Sequence, residues 1–170
     1  KYLDSGYRKC FLSDCDVAAM VQTSLLAFHR VRYELFAWVV MPNHTHSLLT
    51  PSDGWSLDKL MHSHKSFTAH QANQILNRSG QFWMNEYFDR YIRNAEHFEK
   101  TVRYIESNPV KAGLCSKPED WPFSSAWTVF PRGRRAGNQR SICTRQPTST
   151  SSRRKYPACA ARIWGSTRTK

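Results

Sequence analysis

Residues 33–50 read YELFAWVV-MPN-HTHSLLT, from Tyr33 to Thr50, and most of the fold follows from them. Tyr33 to Val40 is dense in aromatic and β-branched residues, which suits a well-buried strand. Met41-Pro42-Asn43 makes a turn, because proline cannot continue a β-ladder and asparagine tolerates tight backbone angles. His44 to Thr50 is then the returning strand of a hairpin. Upstream, a short strand at Tyr7 to Leu12 and a capping pair, Ser13 with Asp16, lead into a helix whose apolar set is Val17, Met20, Val21, Leu25 and Phe28. Downstream, Pro51 to Gly54 breaks the hairpin. Ser56 caps a second helix with Leu57, Leu60, Met61, His64, Phe67, Gln71 and Ile75 on roughly one face, and Asn77 to Gly80 ends it. Tyr87 to Arg93 is a third strand. Asn94 caps a third helix with Phe98, Val102 and Ile105 on one side, which Pro109 stops near Ser107 or Asn108. Trp121 to Ser125 (WPFSS) packs on the body as a closing loop. Strands and helices alternate without the Gly-rich turns of a dinucleotide fold, so a small antiparallel α+β sandwich is expected.

The 170 residues suffice for one domain with a real core, and 40% hydrophobic with 13% aromatic content marks a globular chain. The net charge of +12 is unevenly spread: up to Phe130 there are 14 Lys plus Arg against 13 Asp plus Glu, and from Pro131 onward 11 cations and no acid. A high overall charge therefore says little about the body. Residues 1–130 are expected to fold, and the Arg-, Ser- and Thr-rich residues 131–170 to be a basic, disordered tail. The tail reads equally as a phosphate-binding arm or as an out-of-frame extension with no selected fold. The five cysteines are odd in number and lack C-x-x-C spacing, which suggests free thiols in a reducing cytoplasm. No apolar run approaches the roughly 20 residues that cross a bilayer, and Lys1-Tyr2-Leu3-Asp4 does not begin a signal peptide.

Two features could carry chemistry. His44 and His46 sit at i and i+2 of a strand, where side chains share a face, so two imidazoles can converge on one metal. His62 and His64 have the same gap but fall in a helix, where i and i+2 do not face each other. Taken alone, a strand H-x-H is more often an ordinary polar face than a metal site. Tyr104 and Asn108, in YIESN, lie one helical turn apart and offer a phenol beside an amide carbonyl. A free tyrosine of pKa about 10 is a useful nucleophile only where its anion is stabilised or its proton removed. By itself that spacing suits a packed ring and a helix stop just as well.

Together, MPNHTH on the second hairpin strand, YFDRYIR, RYIESNPVKAGL and WPFSS, in this order and at these distances, resemble the single-tyrosine transposases of the HUH superfamily, and among them the REP-associated tyrosine transposases. The likeness covers roughly Tyr7 to Trp127. It implies a ferredoxin-like antiparallel sheet with helices on one face. Relatives carry another strand ahead of the opening segment, so the N-terminal strand, a central partner for the histidine strand, is expected to be lacking. It implies His44, His46 and Asn108 as ligands of Mg²⁺ or Mn²⁺ and Tyr104 as nucleophile, in nicking and strand transfer on single-stranded or hairpin DNA through a 5′-phosphotyrosine. Thr45 departs from the larger hydrophobic residue usual there. Lys59, Lys65, Arg90, Arg93 and Lys111 are candidates for phosphate contact, and Trp83 or Tyr87 for base stacking. Two rivals remain: a non-catalytic nucleic-acid-binding remnant, and a metal-dependent phosphodiesterase in which water attacks. Monomer and homodimer are both open, and no membrane partner is expected.

Overall fold

A computed structural model describes residues 10–85 and 87–127, together with the backbone of 162–168. After a 3₁₀ turn at Phe11–Ser13 the order is α1 (Cys15–Ala27), β1 (Tyr33–Met41), β2 (His44–Pro51), α2 (Leu57–Ile75), β3 (Phe88–Tyr91), α3 (Ala95–Glu106), α4 (Asn108–Lys111) and β4 (Arg162–Arg168). The expected strand at Tyr7 to Leu12 fails at its end, where Phe11 and Leu12 turn; Tyr7 to Lys9 lie outside the described residues. Asp14, not Ser13, caps α1, its carboxylate accepting from the backbone N–H groups of Asp16 and Val17. Ser56 and Asn94 cap α2 and α3 as expected.

The hairpin forms as expected except at its turn: Met41 belongs to β1 and pairs with His44, which leaves the two-residue turn Pro42-Asn43. The sheet is four-stranded and antiparallel at every pairing, in the order β1-β2-β4-β3. β4 corrects the expectation of a disordered tail over those seven residues; residues 131–161, 169 and 170 lie outside the described residues. Composition counted against ordering this stretch, but a segment that slots between two strands gains a ladder on each edge, which offsets its entropy. The position beside the histidine strand is thus filled from the C-terminal side.

The α+β class and the antiparallel sheet agree with the sequence; the helices do not all share one face. Leu49 of β2 packs with Leu25, Leu57, Leu60 and Met61 of α1 and α2. Its neighbour Leu48 points the other way, into Phe98 and Ile105 of α3 with Ala37, Val39 and Met41 of β1. α3 therefore lies on the face opposite α1 and α2. On α2 the buried residues are Leu57, Leu60, Met61, Thr68 and Ala72, while Phe67 and Ile75 are exposed. Small residues at 68 and 72 let α2 approach the core more closely than the larger side chains would.

The WPFSS segment closes the outer edge of β1: Val40 donates its N–H to the Phe123 carbonyl at 2.8 Å, and Ser125 to that of Trp38 at 2.9 Å. Ser125 Oγ also donates to Glu106 at 2.9 Å, which ties the end of α3 to this edge. Cys115 is a free thiol as expected, but Cys15 is disulfide-bonded. No described helix is long and apolar enough to cross a membrane.

Candidate metal and nucleophile site

The pairing register fixes which face the imidazoles take. His44 is opposite Met41 and His46 opposite Val39, and both partners belong to the cluster beneath α3. The two rings accordingly meet edge to face with centroids 4.8 Å apart, both residues about 95% buried. Asn43 serves the turn through its side chain rather than through a left-handed backbone, which among the described non-glycine residues only Arg30 and Asn77 adopt. Its Oδ1 accepts from Nδ1 of His44 at 2.6 Å. That bond assigns the proton to Nδ1 and the lone pair to Nε2, as ligation requires. The sequence reading missed this role; an amide immediately before a histidine in a tight turn was the available signal.

α3 brings the third group. Its buried stripe, Phe98, Thr101 and Ile105, seats it on the sheet, with Phe98 stacked edge-on against Phe36 at 5.2 Å. Tyr104 then falls at the border of core and solvent, 43% exposed, its ring 5.7 Å from that of His46. Lys111 Nζ lies 4.8 Å from the centre of the same ring. The helix ends at Glu106, yet Ser107 keeps helical angles and α4 starts at Asn108, so Tyr104 and Asn108 retain one-turn spacing. Pro109 is accommodated in the first turn of α4, where its missing N–H costs nothing.

Asn108 is buried, and its Nδ2 has no hydrogen-bond partner among the described residues. A half-turn of the amide exchanges N and O, so this end can equally present an oxygen. An amide with one end unpartnered among the described residues is a donor type that, with two imidazoles, suits a divalent cation accepting mixed N and O donors. Among the described residues no three of His, Cys, Asp and Glu converge, so a thiolate or all-carboxylate site is not offered.

The cationic candidates separate. Lys111 flanks Tyr104, and Lys59, Arg90 and Arg93 are exposed. Lys65 is committed elsewhere: its ammonium donates to the carbonyls of Met84 and Asn85, and burial lowers its pKa. Trp83 is buried and donates Nε1–H to Thr68 at 2.8 Å, so it cannot stack on a base; Tyr87 bonds through its hydroxyl to Asp58.

Comparison with known proteins bears on the whole arrangement. The family described as "Transposase IS200 like" matches residues 6–108, a span that includes both histidines, Tyr104 and Asn108. A REP-associated tyrosine transposase of Escherichia coli K12 is 30% identical over 117 residues, covering 67% of each chain. A solved REP-associated tyrosine transposase bound to a REP hairpin shares the fold, with a TM-score of 0.58 over 89% of this chain and 88% of its own, at 23% identity.

Proposed function

We propose, for a chain that belongs to the IS200-like transposase family, that it nicks single-stranded, hairpin-forming DNA and transfers the strand through a phosphotyrosine at Tyr104. The observation that carries this reading is the Tyr104 ring lying 5.7 Å from His46, at the solvent border of an otherwise buried histidine pair. A phenol in the core could not meet a phosphodiester, and one far from the histidines could not share its substrate with them.

His44, His46 and Asn108 would hold Mg²⁺ or Mn²⁺. Such an ion, when bound, withdraws charge from the scissile phosphate and orients it. The chain's own residues do the rest. Oη of Tyr104 forms the new bond to phosphorus in line with the departing 3′ oxygen. The P–O3′ bond breaks, the phenolic proton passes to water, and the 3′ oxygen takes up a proton as it leaves. The 5′-phosphate stays on tyrosine as an ester of similar energy, so a second 3′-hydroxyl can reverse the step without a nucleotide cofactor. Lys111, beside the ring, supplies positive charge where the phosphate and phenol approach. Asn43 holds the tautomer of His44.

The test is covalent. The full chain incubated with a labelled DNA hairpin carrying a single-stranded flank, in Mn²⁺, is expected to yield an adduct that survives denaturant. Tyr104→Phe is expected to abolish it while leaving binding intact. Cleavage that persists in Tyr104→Phe would assign the attack to water, and binding with no adduct in the parent would leave a recognition module.

A further inference from the structure

β3 carries an aromatic ring that lies largely open to solvent. Phe88 is 57% exposed, although it belongs to a strand of the main sheet. Its face is fixed twice. Ile92, four residues on and of the same parity, is buried in the cluster beneath α3. Independently, Phe88 is in register with Gly165 of β4, which is in register with His46. Phe88 and Arg90 therefore lie on the sheet face that carries His44 and His46. Phe88 is two strands from His46, about 10 Å at the usual strand spacing. Arg90 holds its guanidinium 5.6 Å from the Phe88 ring. Asp89, of opposite parity, falls on the other face, so no acid of this strand opposes a phosphate there.

An exposed ring and a cation, on a sheet face about one nucleotide's reach from a phosphate-handling centre, match the means by which single strands are gripped without sequence readout. We propose that Phe88 is a base-stacking platform for the nucleotide next to the scissile phosphate, with Arg90 contacting the adjoining backbone. The proposal rests on the single-stranded DNA reading above and adds the place where the flank is held. Burial of the ring under a base removes it from water, and the planar guanidinium reaches phosphate from beside it.

The experiment uses the full chain and a hairpin with a short single-stranded flank carrying 2-aminopurine at each flank position in turn. Quenching of one position is expected, and it should disappear in Phe88→Leu, which keeps the apolar bulk but not the π-face. Phe88→Ala is expected to weaken binding by about 5- to 150-fold, the range of one lost base stack, with Phe88→Trp retaining it. Arg90→Gln should lower the salt slope by about 0.7. A parent chain that binds the hairpin, with affinity and quenching indifferent to Phe88→Ala and Phe88→Leu, overturns the platform and leaves the reaction standing. A parent that binds no DNA overturns both. A dimer that dissociates on Phe88→Ala while DNA affinity is unchanged would make the ring a contact between copies and sink the proposal.

Discussion

His44 and His46 lie on β2 and bring their rings within 4.8 Å of each other, whereas His62 and His64, with the same single residue between them, lie on α2 and part company. His62 is exposed, while His64 turns inward, its Nδ1 3.1 Å from Ser24 Oγ and its Nε2 buried. A strand repeats its side-chain direction every two residues and a helix turns through about 200° in the same step. The pattern H-x-H is thus a bidentate candidate only in extended backbone, and the secondary structure decides what the letters mean.

The largest expected effect separates the two pairs by metal binding. Replacing both His44 and His46 by alanine should weaken Mn²⁺ binding roughly 1000-fold or more, because even a partner that merely supports a ligand is worth about 10- to 100-fold. His62→Ala should change nothing. Calorimetric titration checks both, and equal losses from the two pairs would break the comparison.

Acid stability sharpens it from the other side. Burial pushes the pKa of His64 down from 6.5 to about 4. Between those values the unfolded chain binds the proton and the folded one does not. The contribution is therefore complete above about pH 6.5 and is lost as the pH falls towards 4, at about 1.4 kcal/mol per unit and no more than about 3 kcal/mol in all. Urea unfolding at pH 7 and pH 4.5 should show a slope that His64→Gln flattens; a slope that survives the substitution would assign it to other groups. A smaller effect, near 10-fold on Mn²⁺ affinity, is expected for Asn43→Ala, which frees the His44 ring to adopt the other tautomer.

The legible parts of the molecule are those where local chemistry decides. The Tyr33 to Thr50 hairpin, the caps at Ser56 and Asn94 and the one-turn pairing of Tyr104 with Asn108 depend on neighbours in sequence, and all appear where the residues put them. What escaped depends on distant partners. β4 has a reason to order only because β2 and β3 leave a place between them. Thr68 is buried where its hydroxyl accepts from Trp83 on a later segment, a partner that no helical periodicity reports. Lys65 resembles any surface lysine until the 84–85 loop lays two carbonyls over it. Nothing in the sequence sets Phe88 apart from Trp83 and Tyr87, since sequence distinguishes an exposed ring from a buried one poorly on a short edge strand.

The opposite face of β2 provides the finest test of the same periodicity. Thr45 and Ser47 alternate with the histidines and are buried, at 1% and 0% exposure, on the side of α1 and α2. Neither hydroxyl has a hydrogen-bond partner among the described residues. An unsatisfied buried hydroxyl costs about 1–3 kcal/mol. Valine keeps the β-branched shape and removes the polar atom. Thr45→Val should therefore raise stability by about 1 kcal/mol, measured as a higher urea midpoint at unchanged slope, while Mn²⁺ affinity stays the same because both histidines face away. Destabilisation would mean that the hydroxyl has an acceptor in solution. A change in metal affinity would mean that the two faces of this strand are not independent, and the alternation from which the site is built would fail at its centre.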